Sequence, residues 1–239
     1  MQYNFRYVVL SAAIMLLLTL SCSNLFEPET PVAEGGVLIP LAVGNYWAYR
    51  DSFYSDNSPI EGLTDSAKVV ITNEFSHLPG SGDQQSYIWQ WYYPLDQELD
   101  YKWIYWNGTD GVYILGGLSS ADTLYTKHRI LKYPVRLYAS WEVPRLVYDL
   151  IDQQWLLDPD SSFTYSCVAI DSLLMTPIDS FRCVVFHHRR RQAEDVAGYW
   201  DIYDFYTPDI GLVAQITLKS YNKTVFRKRL LYDYLVLTN

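Results

Sequence analysis

The chain has 239 residues, 16% of them aromatic with 22 tyrosines and 8 tryptophans, which excludes a disordered polymer and requires a large packed core. Its 18 basic residues against 27 acidic ones give a net charge of −9, which argues against nucleic acid as a partner and against broad adhesion to anionic lipid.

In chain order, the first element is an export signal. Arg6 supplies one positive charge, and Val8 to Leu20 form an apolar stretch interrupted only by Ser11 and Thr19. Thirteen residues at about 1.5 Å each reach about 20 Å, short of the roughly 30 Å hydrocarbon core that a spanning helix must cross. The stretch therefore reads as a signal peptide over residues 1–21 rather than a membrane span.

The segment Leu18-Thr19-Leu20-Ser21-Cys22 resembles the lipobox of bacterial lipoproteins, with a small residue before the cysteine. It departs from that pattern at Thr19, where leucine is usual. The resemblance implies cleavage before Cys22 and lipidation of Cys22, so that the chain is held on a membrane by lipid. An ordinary secretory signal with Cys22 incidental is the competing reading. Ser23 follows in place of the aspartate that retains such proteins in the inner membrane, and by resemblance this implies the outer membrane. Residues 22–37, with three glutamates, two prolines and two glycines after the cysteine, read as a flexible tether.

Residues 38–239 read as one β-rich domain. From Asn45 onward, short runs of β-branched and aromatic residues alternate with polar ones between Gly, Asn, Asp and Pro. Strands are predicted near 45–54, 66–73, 162–171, 180–190, 199–206, 211–219 and 224–237. Tyr87, Trp89, Trp91 and Tyr93 share one face of a strand, and Tyr101, Trp103 and Tyr105 one face of another. The NGTDG turn predicts a hairpin between Trp106 and Val112, and Gly116 with Gly117 marks a further turn. Helical spacing occurs in RLVYDLIDQQWLL, where Leu146, Val147, Leu150, Ile151 and Trp155 recur every three or four residues. One short helix is expected there.

Two segments, 40–130 and 134–235, look related. PLAVGNYW (Pro40 to Trp47) and PVRLYASW (Pro134 to Trp141) share spacing, and an offset of about 94 to 100 residues recurs downstream. It pairs Lys68 to Ile71 with Ser166 to Ala169, Ser86-Tyr87 with Ser180-Phe181, and Asp110 to Tyr113 with Ile210 to Val213. Chance similarity between β segments is the alternative. The fold class expected is all-β: antiparallel meanders forming a sandwich or half-barrel around one core. The combination of PLAVGNYWAY, TPIDSFRCVVF and TPDIGLVAQI is similar to uncharacterised β-rich lipoproteins of Gram-negative bacteria, a resemblance that brings no activity with it.

An oxidising compartment and a lipidated Cys22 leave Cys167 and Cys183 as a pair. A hairpin turn centred on Met175 would set them opposite each other at about 4.5 Å between Cα atoms, which predicts a disulfide; two buried free thiols are the other reading. The run His187-His188-Arg189-Arg190-Arg191 is the one concentrated basic stretch. Neighbours on a strand face opposite ways, so the two histidines do not share a metal. The run reads as a solvated, edge-protecting strand end or as a grip on phosphates.

Glu142, Asp149, Asp152, Asp201 and Asp204 could supply a glycosidase pair, yet no spacing marks one. No motif for metal, nucleotide or nucleophile chemistry is present, and no cofactor is expected. The reading is a non-catalytic, lipid-anchored envelope protein binding a protein, glycan or lipid partner. Its alternatives are an envelope glycan hydrolase and a structural subunit of a surface assembly.

Overall fold

The computed structural model describes residues 32–75, 85–92, 102–119, 122–149, 154–191 and 198–237. Lipidation of Cys22, the signal peptide, Tyr93, Tyr101 and Asp152 lie outside the described residues. Fourteen antiparallel strands account for the fold, with no helix among the described residues. They are β1 (Val32–Ala33), β2 (Tyr46–Ser55), β3 (Ser58–Phe75), β4 (Ser86–Tyr92), β5 (Lys102–Gly108), β6 (Gly111–Leu118) and β7 (Thr123–Lys132). There follow β8 (Val135–Arg136), β9 (Ser140–Asp149), β10 (Gln154–Met175), β11 (Ser180–Arg191), β12 (Tyr199–Thr207), β13 (Gly211–Lys219) and β14 (Val225–Leu235).

Twelve of these form one sheet in the order β7-β6-β5-β4-β3-β2-β14-β13-β12-β11-β10-β9, while β1 and β8 pair separately. Every neighbour in the large sheet except β2 and β14 is also a neighbour in sequence, so the sheet is two six-stranded meanders joined edge to edge. It curls until its free edges, β7 and β9, lie against each other in a nearly closed barrel. No ladder joins these edges; instead Trp141 Nε1 on β9 donates to Ile130 O on β7 at 3.2 Å.

The sequence correspondences fall at equivalent places in the two meanders. Trp47 and Trp141 are each the second residue of a first strand, and Ser86 and Ser180 each begin a third. Gly111 and Gly211 each begin a fifth strand, with φ of 145° and 106° that side chains rarely adopt. At Gly111 a Cβ would lie 2.0 Å from Leu131 O, so the turn and the approach of β7 both require glycine.

Alternation sets the inner face. Trp47, Tyr49 and Asp51 point inward from β2, and Val69 and Ile71 from β3. The aromatic stripes do the same, with Tyr87 opposite Tyr105 and Trp89 opposite Trp103. Trp47 stacks on Trp89 at 5.2 Å between centroids, and Trp89 meets Tyr105 at 5.1 Å.

The end of the barrel at which the chain enters is plugged by residues 35–42. Leu38, Ile39 and Leu41 are buried in the core cluster. Gly35 O accepts from the Tyr133 hydroxyl, Ile39 O accepts from Asn107 Nδ2, and Asp209 N donates to Val37 O. Two of the family-like motifs meet here. Asn45 donates through Nδ2 to Pro40 O and accepts from Leu237 N, while Trp47 Nε1 donates to Ile210 O. These motifs hold the plug in place. The expected tether is therefore attached to the fold from Val32 onward, through β1 and these hydrogen bonds.

Three expectations are corrected. The helix predicted over 145–157 is not formed: Leu157 pairs with Leu146, Leu156 with Val147 and Trp155 with Tyr148 in the β9–β10 ladder. The three- and four-residue spacing arose from the two arms of a hairpin. Gly116 and Gly117 are not in a turn but inside β6, where Gly117 makes room for the Trp155 ring; an added Cβ would lie 2.3 Å from it.

The Cys167–Cys183 disulfide is also absent, and both residues are free and buried. The turn spans Thr176 to Asp179 rather than centring on Met175, and two register shifts intervene, so Cys167 pairs with Phe186 and Cys183 with Ser172. Ser172 lies five residues beyond Cys167, roughly 16 Å along the strand at about 3.3 Å per residue. Burial pushes the Cys167 thiol up to about 11 and raises Cys183 as well. Thiol titration of the native protein at pH 8 is expected to find neither cysteine reactive, and denatured protein to release both. Finding none after denaturation would show a disulfide.

Candidate functional site

The basic run of β11 is divided by the pleat between two surroundings. His187 and Arg189 face outward, where His187 Nε2 lies 3.2 Å from Asp201 Oδ1 and Arg189 Nε donates to the same oxygen at 3.0 Å. Lys223 donates to the other oxygen. Asp201 is 0% exposed, although its cationic partners remain in solvent. Burial alone would raise its carboxyl, but hydrogen bonds from Lys223, Arg189 and His187 outweigh that and hold it well below the usual carboxylate range. Because β11 sits between β10 and β12, this is a clamp across the sheet and not the protection of an edge.

A carboxyl depressed in the folded state contributes stability above its unfolded value of about 3.9, and that contribution is lost as pH falls. Asp201→Asn is expected to cost about 1–3 kcal/mol at pH 7 and to flatten the loss of stability between pH 5 and pH 3. Urea midpoints measured across that range should therefore converge for variant and wild type. Parallel curves would contradict the assignment.

His188 and Arg190 face inward and line a cavity of about 240 Å³ inside the barrel. Ile39 of the plug, Leu131 and Leu212 contribute apolar lining. One side is aromatic, formed by Trp89, Trp91, Tyr105, Tyr165 and Tyr206. Burial, reinforced at Tyr165 and Tyr206 by the nearby Asp204, raises all three phenols, which stay neutral hydroxyls.

A polar chain runs beside these rings. The His188 ring stacks on Tyr165 at 4.4 Å, and its Nε2 lies 3.3 Å from Asp204 Oδ2. Gln215 Nε2 donates to Asp204 Oδ1 at 2.8 Å, and Gln215 Oε1 accepts from Arg227 at 2.6 Å. Arg227 in turn approaches Asp51 at 3.7 Å. Asp51 holds Arg229 through two bonds of 2.7 Å, both residues being at most 4% exposed, and the Arg229 guanidinium lies 5.0 Å over the Trp91 ring. Such a network is stable only when its members are paired, and it packs His188 and Arg229 directly on the rings of Tyr165 and Trp91.

Of the acids considered for glycan hydrolysis, Asp201 and Asp204 lie on opposite faces of β12, and Glu142 accepts from exposed Ser162 and Thr164. Glu142, Asp201 and Asp204 form no facing pair. Asp51, Gln215, Arg227 and Arg229 were not singled out in the sequence. The signal was present in parity: Asp51 continues the inward series Trp47, Tyr49, and Arg227 and Arg229 alternate toward Leu231.

No protein-family profile matches the chain, and no curated protein matches it. Two solved structures are similar. One is a Bacteroides fragilis protein described as exported and of YmcC-like fold, with a TM-score of 0.52 and 10% identity, covering 84% of this chain and 100% of that one. The other is a Parabacteroides distasonis protein described as a lipoprotein, with a TM-score of 0.50 and 12% identity, covering 85% of this chain and 100% of that one. The chain shares their fold. At such identities the likeness concerns the fold alone.

Proposed function

We propose that this protein is a lipid-anchored lipoprotein of the cell envelope, at the outer membrane, whose barrel is a non-catalytic module that binds a glycan unit in its interior cavity. Support for the address comes from the lipobox-like segment ending at Cys22 and from a fold shared with proteins described as exported and as a lipoprotein. The binding reading rests on one observation: aromatic rings and a hydrogen-bonded polar chain line the same small cavity. Sugars present both an apolar ring face and a rim of hydroxyls, which such walls complement. At about 240 Å³ the space is below the roughly 300–1,000 Å³ of drug-sized pockets and suits one ring. An acyl chain would need a longer, apolar tunnel, and a protein surface could not enter.

The anchor is tested by labelled palmitate and membrane fractionation. Wild type is expected to carry label and sediment with membranes, and Cys22→Ala to lose both. Equal labelling of the two would refute it.

A further inference from the structure

The β10–β11 hairpin outruns its neighbours. β10 last pairs with β9 at Ser166, and β11 first pairs with β12 at Val184, so residues 167–183 form an arm of two strands only. The arm lies at the plugged end of the barrel, where Cys183 Sγ is 3.6 Å from the Thr207 hydroxyl and Phe181 meets Tyr234 edge-on at 6.5 Å. Leu174, Phe181 and Cys183 turn toward the core. The alternate residues Leu173 and Met175 turn to solvent, 64% and 69% exposed, with Ile178 exposed beside them in the turn. The outward face of such an arm is polar when it meets water; here it is apolar at its tip. The opposite end of the barrel differs. Among the described residues its exposed large side chains include Tyr125, Tyr199 and Tyr221, and no aliphatic one there is more open than Leu63, at 48%.

The chain joins the fold at the same end as the arm, where Val32 pairs with Arg136 and Gly35 O accepts from the Tyr133 hydroxyl. From Cys22 to Val32 is ten residue steps, at most about 36 Å of extended chain. The opposite end stands further from that cysteine by up to the length of a strand such as β2, which has 10 residues and spans about 33 Å.

We propose, resting on the lipidation of Cys22, that Leu173, Met175 and Ile178 dip into the leaflet that holds the anchor. This second contact sets the barrel with its plugged end on the membrane. The tip meets acyl chains and not headgroup charge, because the arm carries one cation, Arg182, against Asp171 and Asp179 in a chain of net charge −9. Arg182 is in any case bonded to Asp171 at 2.8 Å. Apolar burial therefore drives the insertion, to the roughly 5–10 Å that interfacial segments reach.

The test uses the mature lipidated protein in phosphatidylcholine vesicles, with a polarity-sensitive dye on one introduced cysteine: Met175→Cys at the tip, or Leu63→Cys or Tyr221→Cys at the opposite end. Cys167 and Cys183 are buried and Cys22 carries lipid, so the dye goes to the introduced thiol. Near-ultraviolet circular dichroism checks that each variant is folded. Phosphatidylcholine spin-labelled in the upper acyl chain is expected to quench the dye at 175 about twofold or more, because that label sits at interfacial depth. The dyes at 63 and 221 should keep their emission. Adding Leu173→Ser and Ile178→Ser to Met175→Cys should remove most of the quenching while the protein still floats with the vesicles. Protein that floats with an unquenched dye at 175 would overturn the insertion and leave the anchor standing. A blue-shifted dye at 175 that spin-labelled lipid does not quench would mean that protein, such as a second copy of this chain, covers the tip, and would also overturn it. Equal quenching at all three positions would overturn the orientation. Protein that does not float would overturn the anchor and this inference with it.

Discussion

Replacing Arg229 by methionine is expected to destabilise the protein by about 3–5 kcal/mol, enough to leave a domain of this size barely folded. The cause is not the loss of a favourable contact alone. Asp51 is 2% exposed and holds Arg229 through two bonds of 2.7 Å; without that partner a carboxylate stays buried with only the more distant Arg227, at 3.7 Å, to compensate it. Asp51→Ala should cost a similar amount, because it strands Arg229 between Tyr49 and Trp91. The double variant removes both charges and should lose less than the sum of the two, with a coupling of about 2 kcal/mol or more. Urea unfolding of the four proteins measures this, and additive losses would show that the pair is not a unit.

The largest effect on binding is expected from filling the cavity. Ile202 lines it and is 7% exposed, and tryptophan at that position would occupy space that the fold leaves empty. Overpacking a filled core costs about 1–3 kcal/mol; here the added ring enters existing room, so Ile202→Trp should remain folded and lose at most about that amount. Its affinity for a sugar should fall more than a hundredfold, about 2.7 kcal/mol. Unchanged affinity would place the binding surface outside the barrel.

Much of the fold was legible because alternation and turn residues act locally. The strand predicted over 211–219 matches β13, and that predicted over 180–190 falls within β11, each bounded by residues that tolerate turns. What failed was register and context. The position of Cys183 relative to Cys167 depended on where a turn begins and on two bulges, and neither is written in hydrophobic periodicity. Leu146, Val147 and Trp155 satisfied a helical spacing while lying on two arms of a hairpin, whose pairing is decided by the neighbouring sheet. Val32 to Val37, the described part of the expected tether, departs from what its composition suggests, because partners nearly a hundred residues or more away, Tyr133, Arg136 and Asp209, hold it.

The site was legible in part. Alternation alone separates His187 and Arg189 from His188 and Arg190, and the aromatic stripe of Trp89 and Trp91 was visible from spacing. Which of those faces met Asp204, Gln215 and Arg227 required the closure of the sheet through β2 and β14, which brings together residues more than a hundred positions apart.

The most direct measurement is a crystal of the mature domain soaked with a monosaccharide at saturating concentration. A sugar ring is expected inside the barrel, with its apolar face on the rings of Trp89, Trp91 or Tyr165 and its hydroxyls within 3.2 Å or so of Asp204 or Gln215. A saturated crystal with sugar only on the outer surface, and the interior cavity filled by water alone, would contradict the proposal.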